Sequence, residues 1–327
     1  MPTAPGSSIS NSEHMAPFLK RFVSFLLLCT VVYVLLIGVM TKTNIHPPIH
    51  HNLPAANITG LMFRDLHQAK KTDLLFVGSS HSYRGFDTRV YDSLGWNSFN
   101  MGTSSQTPRH TLALLDTWLD SMQPQLLVCE VYPATFSLEM DLLEANLNIM
   151  ANDKWQPYFK DLLLMDADLR LFNLTVATRI RNLMGWEQGM SLDTVMGTDQ
   201  YIRKGYVEST RKGFTKELHD GTPSDVDFKQ VEALKSIVRL AQIRGIHVML
   251  LQLPVTASLY ASYKNQESFD SLMNSIAPYQ NLNGRMELVD TIHFYDSNHL
   301  NPAGAAIVNA AVAEVIGTPA KWKKDYR

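Results

Sequence analysis

Residues near the two ends of the chain could together form a serine-based acyl-transfer site. Ser80 stands two residues after Gly78 and follows the apolar run 74–77, while Asp296 and His299 lie three residues apart near the other end. A serine hydroxyl becomes a nucleophile when a base removes its proton, and a carboxylate orients that base. These residue types predict Ser80 as nucleophile, His299 as general base and Asp296 as its orienting partner. Ser80 alone would also fit a helix cap, and the Asp296–His299 pair alone would also fit a surface turn.

Other kinds of site lack their motifs. The sequence contains no G-x-G-x-x-G, no H-E-x-x-H and no paired C-x-x-C, and the segment 78–85 lacks the Gly-Lys-Ser/Thr ending of a phosphate loop. His46, His50 and His51 could bind a metal, but no carboxylate or cysteine stands beside them. We therefore expect neither a metal nor an organic cofactor.

The elements that position these residues follow from the hydrophobic pattern. Short apolar runs alternate with amphipathic helical periods, which is typical of a parallel sheet covered by helices. A tight turn after the first strand would expose the Ser80 hydroxyl at the carboxyl edge of the sheet, where open α/β folds place their sites. The predicted strands are 74–77, 98–101, 126–131, 247–253 and 287–290, and the predicted helices are 111–122, 231–244 and 302–316. The alternation stops at about 137–227, which predicts a helical and irregular insertion acting as a lid or a docking surface.

An uncharged segment near the N-terminus predicts a membrane anchor. Residues 22–40 form a run of 19 residues without a charge, and a helix of this length nearly spans a hydrocarbon core of about 30 Å. The run is longer than the apolar part of a cleaved signal peptide. Lys20 and Arg21 precede it and Lys42 follows it, so the positive-inside rule predicts a cytoplasmic segment 1–21 and an extracytoplasmic remainder. We therefore predict that the proline-interrupted segment 41–56 is a stalk and that residues 57–327 form the catalytic domain.

The composition excludes several classes of protein. Of 327 residues, 45% are hydrophobic and 18% charged, so the chain is not disordered throughout. The formal net charge of -2 gives no basic excess for nucleic acid. Cys29 and Cys129 are the only cysteines, which excludes a disulfide scaffold and indicates two packing residues.

The block around Ser80, followed along the chain by the block around Asp296 and His299, resembles the SGNH hydrolase superfamily of GDSL-like esterases. That family carries its nucleophile in a Gly-Asp-Ser block after the first strand and its base in a terminal Asp-x-x-His block before a helix. Here the blocks read VGSSHS and YDSNHLNPAG. The resemblance covers roughly 72–316 apart from the insertion, and implies a three-layer, flavodoxin-like α/β fold with a mostly parallel five-stranded sheet. It also implies that the N–H groups of Ser80 and Gly102 form the oxyanion hole, where one donor can contribute about 3 kcal/mol.

Two departures from this family's pattern point to one of its branches. Ser79 replaces the usual aspartate before the nucleophile, and CEVYPATF stands where a Gly-x-Asn-Asp block is expected, so the side-chain oxyanion donor has no assigned residue. With the single anchor, these departures resemble the branch that includes DltD and the alginate O-acetylation proteins. That resemblance implies an acylated glycan or envelope polymer as substrate and a membrane-bound O-acyltransferase as partner.

Four residues beside the predicted triad are candidates for substrate binding. His81 and Arg84 follow the nucleophile, and Glu130 and Tyr132 stand at the end of the third strand. Each has a structural alternative: His81 could fill the turn, Arg84 could pair with Asp87, and Glu130 could satisfy backbone donors.

Two functional hypotheses follow. The first is a membrane-anchored, extracytoplasmic serine acyl-esterase or O-acyltransferase acting on an envelope glycan or polymer. The second is a catalytically silent scaffold of the same fold that binds polymer or a membrane-bound acyltransferase.

Overall fold

The computed structural model describes residues 12–43, 56–186, 193–216 and 225–322. Residues 44–55 of the expected stalk, with its three histidines, lie outside the described residues. The helices are α1 Ser12–Lys42, α2 Ala56–Gln68, α3 Ser80–Gly85, α4 Thr88–Ser93, α5 Pro108–Met122, α6 Leu142–Asn152, α7 Phe159–Met165, α8 Leu169–Met184, α9 Phe228–Ile243, α10 Ala257–Tyr260, α11 Gln266–Ile276, α12 Asp290–His293 and α13 Pro302–Ile316. The strands are β1 Leu74–Val77, β2 Ser98–Asn100, β3 Leu126–Glu130, β4 Val195–Met196, β5 Asp199–Arg203, β6 Tyr206–Ser209, β7 His247–Gln252 and β8 Tyr279–Asn281. Short 3-10 helices occupy Pro133–Phe136 and Pro319–Trp322.

A five-stranded sheet of order β2-β1-β3-β7-β8 forms the centre, and all of its pairings are parallel. The predicted mostly parallel sheet is therefore confirmed, and the order is flavodoxin-like. The chain reverses direction across the sheet between β1 and β3, and a ligand site is expected outside the carboxyl ends of the strands at this point. The Ser80 turn leaves β1 there.

Both faces of the sheet are buried, which explains the uninterrupted apolar runs of β1 and β3. Successive side chains of β1 point to opposite faces: Leu75 and Val77 join a core with α2, α5 and α9, whereas Leu74 and Phe76 join one with α4 and α13. The sheet is thus the middle of three layers, as predicted.

The fifth strand is not where the sequence pattern predicts it. Residues 287–289 have no regular structure and Asp290–His293 is α12, whereas Tyr279–Asn281 pairs with β7 as β8. All three residues of this edge strand are half-buried, so it lacks the apolar run of an inner strand. Leu288 packs against the core of the α13 face, which explains the misleading hydrophobic signal.

The region 137–227 contains an antiparallel sheet that the sequence pattern does not reveal. Beside α6, α7 and α8 it holds the strands β4, β5 and β6. The turn between β5 and β6 covers the free edge of β2, because the Asn100 N–H donates to the Lys204 carbonyl at 2.9 Å. Gly205 in this turn has φ +85, and a Cβ there would lie 1.7 Å from the Asn100 carbonyl oxygen. The hairpin therefore protects a sheet edge that would otherwise be open to pairing.

Helix α1 is the one described helix that is long and apolar enough to cross a membrane, a property of both anchors and signal sequences. Its C-terminal third packs on α8. The Tyr33 hydroxyl donates to Asn173 Oδ1 at 2.5 Å, and the Tyr33 ring stacks on Phe172. Lys42 Nζ lies 5.9 Å above the Trp186 ring. Helix α1 is thus joined to the domain by specific contacts.

Candidate active site

The structure brings Ser80, His299 and Asp296 into one chain of hydrogen bonds. Ser80 is the first residue of α3, and its Oγ lies 2.7 Å from His299 Nε2. His299 Nδ1 lies 2.9 Å from Asp296 Oδ2. A proton on Nδ1 donated to the carboxylate leaves Nε2 free to accept the serine hydroxyl. The arrangement is that of a nucleophile, a base and an orienting carboxylate.

The local turn holds Asp296 in its charged form. Asp296 Oδ1 accepts the N–H groups of Asn298 at 3.0 Å and His299 at 2.8 Å. Burial by itself would raise the pKa of Asp296, but the hydrogen bonds from the His299 ring and from these amides hold its pKa below the ordinary value. The spacing of three residues therefore lets one carboxylate close the turn and orient the ring.

A buried glutamate fixes the turn that presents the nucleophile. Ser79 caps α3, and its N–H and Oγ both donate to Glu130 Oε2, at 3.0 and 2.9 Å. Gly78 has φ +145, and a Cβ there would lie 2.7 Å from Glu130 Cβ. Glu130 is only 6% exposed and lies beneath the turn, where it also borders a pocket with Gly78 and Gln106. It satisfies a backbone donor, as in the alternative considered above, and its part in substrate binding stays a prediction.

Burial raises the pKa of Glu130 to about 7, although the hydrogen bonds from Ser79 and the Tyr132 amide act in the opposite direction. Burial, followed by the charge of Glu130, raises the pKa of the neighbouring Cys129 thiol to about 12. Cys129 is thus an inert packing residue, whereas Glu130 can change charge near neutral pH.

The predicted oxyanion donors differ in their availability. Among the described residues, no group accepts a hydrogen bond from the Ser80 N–H. The Gly102 N–H instead donates to Asn100 Oδ1 at 3.1 Å. Asn100 also accepts from Ser82 Oγ and donates to the Ser82 carbonyl, so it ties α3 to the loop after β2. The sequence reasoning missed Asn100, and its place at the end of the second predicted strand was the only signal for it.

His81 and Tyr132 form a wall beside the base. Their rings stack with centroids 3.9 Å apart, and the His81 ring lies 5.2 Å from that of His299. Burial, and then the proximity of His299, lower the pKa of His81 well below the ordinary value, so the ring is neutral. The Tyr132 hydroxyl lies beside Tyr263 and Asn298. His81 therefore fills the turn and also borders the cleft.

Arg84 joins the nucleophile helix to the antiparallel sheet. Its guanidinium donates to both carboxylate oxygens of Asp199 on β5, at 2.9 and 2.6 Å, a bidentate geometry. It also lies over the Tyr83 and Tyr295 rings. Asp87, the partner considered from the sequence, caps α4 instead. Arg84 is thereby held at one wall of the cleft.

A cleft that opens to solvent adjoins the His299 side of the site. Residues of α3, the loop after β7 and the turn that carries His299 line it, with His81, Arg84 and Leu253 among its walls. Within the described residues, no group of three or more His, Cys, Asp or Glu could hold a metal ion.

No family model and no curated protein matches the sequence. Among solved structures, a GDSL-like lipase from Bacteroides thetaiotaomicron is similar at 13% identity and a TM-score of 0.39, over 80% of this chain and 97% of that one. A psychrotrophic esterase from Pseudoalteromonas sp. is similar at 14% identity and 0.35, over 77% and 98%. A two-domain esterase active on acetylated mannans is similar at 12% identity and 0.36, over 84% and 55%. All three TM-scores are below 0.5, so a functional assignment depends on the geometry of the site.

Proposed function

We propose that the chain is a membrane-anchored serine acyl-esterase or O-acyltransferase of SGNH type, with its catalytic domain outside the cytoplasm. The observation that carries this proposal is the hydrogen-bond chain from Ser80 Oγ through His299 to Asp296. His299 takes the hydroxyl proton as Oγ attacks the acyl carbon, and Asp296 stabilises the resulting imidazolium. The bond from the acyl carbon to the leaving oxygen then breaks, and His299 gives that oxygen its proton. Acyl-Ser80 remains.

The second half of the reaction releases the acyl group. Water or an acceptor hydroxyl loses its proton to His299 and attacks the acyl carbon. The bond from the acyl carbon to Ser80 Oγ then breaks, and His299 returns the proton to Oγ. The Ser80 N–H donates to the oxyanion in both halves. The Gly102 N–H donates to Asn100 Oδ1 in this structure. It would become the second donor to the oxyanion only if it leaves Asn100 when substrate binds.

We infer an acylated envelope glycan or polymer as substrate, and a membrane-bound O-acyltransferase as the partner that would supply acyl groups. Exclusion of water from the acyl-enzyme would make the protein a transferase, and admission of water would make it an esterase.

The contacts of α1 support a retained anchor over a cleaved signal sequence. Cleavage after the apolar run would remove the hydrogen bond from Tyr33 to Asn173 and the stacking on Phe172. Lys20 and Arg21 before the run, against Lys42 after it, favour a cytoplasmic N-terminus.

A serine-directed fluorescent phosphonate tests the catalytic proposal on the full chain in detergent. We expect it to label the wild type but not Ser80→Ala, and to label His299→Ala far more slowly. Ser93 is an exposed serine that bonds only the Val90 carbonyl, so Ser93→Ala is the matched control and should react like the wild type. An unlabelled wild type, or equal labelling of Ser80→Ala, contradicts the proposal.

The engaged Gly102 N–H favours the silent scaffold as a second candidate. A scaffold would bind polymer without reacting with the phosphonate or releasing acetate from acetyl esters. The distance of 2.7 Å between Ser80 Oγ and His299 Nε2 favours the enzyme, because it lies within hydrogen-bond reach.

A further inference from the structure

Helix α8 buries one face against the domain and carries an apolar stripe on the opposite face. One face packs on the domain, through the buried residues Leu171, Leu174, Thr178 and Arg181. The opposite face carries a stripe at helical spacing, Leu169, Phe172, Val176, Ile180 and Leu183. A helix on the surface of a soluble domain has polar residues on its outward face. The outward face of α8 therefore requires another covering.

Much of this outward face is open to the surroundings. Leu169 is 77% exposed, Leu183 71% and Phe172 50%, and Leu164 in the neighbouring α7 is 81% exposed. Single exposed apolar residues are common, but a contiguous patch on a monomer marks an interaction site. This patch lies on the side of the domain to which α1 attaches.

Helix α1 runs parallel to α8 along the stripe and covers only part of it. Tyr33 contacts Asn173 and Phe172 at one end, and Lys42 lies over Trp186 at the other. The contacting length, residues 33–42, is about 15 Å. Most of it belongs to the apolar run 22–40, whose whole length is about 28 Å. The medium that surrounds residues 33–40 must therefore also meet the exposed flanks of α8.

The C-terminal ends of α1 and α8 lie at the same height along the two helices. Lys42 and Trp186 meet there, and tryptophan with basic residues is enriched at the level of lipid headgroups. Arg179 lies over the Trp155 ring, 4.4 Å from its centroid, and a long arginine side chain can reach the interface while its stem stays in an apolar layer.

We propose that the outward face of α8 lies in the outer leaflet of the bilayer beside α1, so that the domain sits directly on the membrane. This inference rests on the proposed anchor. It places lipid against Phe172 and Leu183, whereas Leu169 adjoins the exposed Asp168–Arg170 ion pair at the far end of α8 and is left out of the lipid contact. Substrates or acyl donors at the membrane surface would then reach the site without a long flexible tether.

Site-specific fluorescence in vesicles tests this placement on the full chain. The exposed Cys29 is replaced by alanine, and the buried Cys129 is kept because it is inert. An environment-sensitive fluorophore is attached to single-cysteine replacements at Phe172 or Leu183 in phosphatidylcholine–phosphatidylglycerol vesicles. We expect quenching by lipid-attached nitroxide and protection from aqueous iodide.

Two matched positions make the outcomes distinct. Ile243 at the end of α9 is 76% exposed and Leu27 in α1 is 62% exposed. Iodide should quench the Ile243→Cys label, and lipid nitroxide the Leu27→Cys label. If the α8 labels behave like Ile243 while Leu27 is lipid-quenched, this inference is wrong and the anchor stands. If Leu27 is also open to iodide, the anchor proposal itself fails.

Protection of the α8 labels from both quenchers would overturn the lipid assignment, because it would show a protein surface on this face. Each labelled protein is first checked for the melting temperature of the unlabelled chain. Where a variant does not fold, Leu164→Cys or Met184→Cys replaces it, since both side chains are more than half exposed.

Discussion

Replacing Glu130 with glutamine tests how the nucleophile turn is held. In the wild type, the Ser79 nitrogen and Oγ lie 3.0 and 2.9 Å from Glu130 Oε2. Glutamine keeps the shape of the side chain and one oxygen that can accept both hydrogen bonds. It removes the ability to ionise and turns the second carboxylate oxygen into an NH2 donor, a change whose cost does not vary with pH. The variant should therefore fold, and it should differ from the wild type in the pH dependence of its stability.

The magnitude follows from the pKa. Burial raises the pKa of Glu130 from 4.5 to about 7, and each pKa unit corresponds to about 1.4 kcal/mol. Because the pKa of Glu130 is higher in the folded than in the unfolded protein, the protonated carboxyl contributes stability that is fully present below the unfolded-state pKa. That contribution is lost as the pH rises through the folded-state pKa. Relative to Glu130→Gln, the wild type should lose about 3 kcal/mol between about pH 4.5 and pH 7.

Urea unfolding of the full chain in detergent, at intervals between about pH 5 and pH 8, measures this loss. Glu267→Gln is the control, because Glu267 is exposed on α11 and its removal changes the net charge equally. A constant free-energy difference between wild type and Glu130→Gln across this range would refute the claim that burial sets the charge of Glu130.

Three further changes test other parts of the site. Asp296→Asn removes the charge that orients the histidine, and should lower the rate of phosphonate labelling by about 10⁴ while the melting temperature changes little. Gly78→Ala adds a Cβ 2.7 Å from Glu130 Cβ at φ +145, whereas Gly95→Ala carries the strain of φ +88 but meets nothing within 4 Å. Urea unfolding should show a loss of more than about 1 kcal/mol for Gly78→Ala and a smaller loss for Gly95→Ala, because only the first adds a clash to the backbone strain. Arg84→Met and Asp199→Asn each break a pair whose side chains are 13% and 15% exposed, and their double-mutant cycle should give a coupling of about 2 kcal/mol, with a value near zero contradicting the pairing.

The inner sheet and the hydrogen-bonded chain of Ser80, His299 and Asp296 could be predicted because their signals are local in the sequence. Inner parallel strands are continuous apolar runs, and the three-residue spacing of Asp296 and His299 fits one turn of chain. The edge strand β8 could not be predicted, since its half-buried residues lack an apolar run. Leu288 gave a false strand signal because it packs on the core from irregular structure.

The sequence by itself determined the apolar N-terminal segment, the parallel α/β layers and the three residues that form the Ser80–His299–Asp296 hydrogen-bond chain. Only the tertiary structure decided what the neighbouring polar residues do. Glu130 lies under the nucleophile turn, Arg84 bonds Asp199, and the Gly102 N–H is held by Asn100. The physical reason is that a buried charge or amide must find a partner, and that partner stands on another element, at a distance along the chain that no local pattern records.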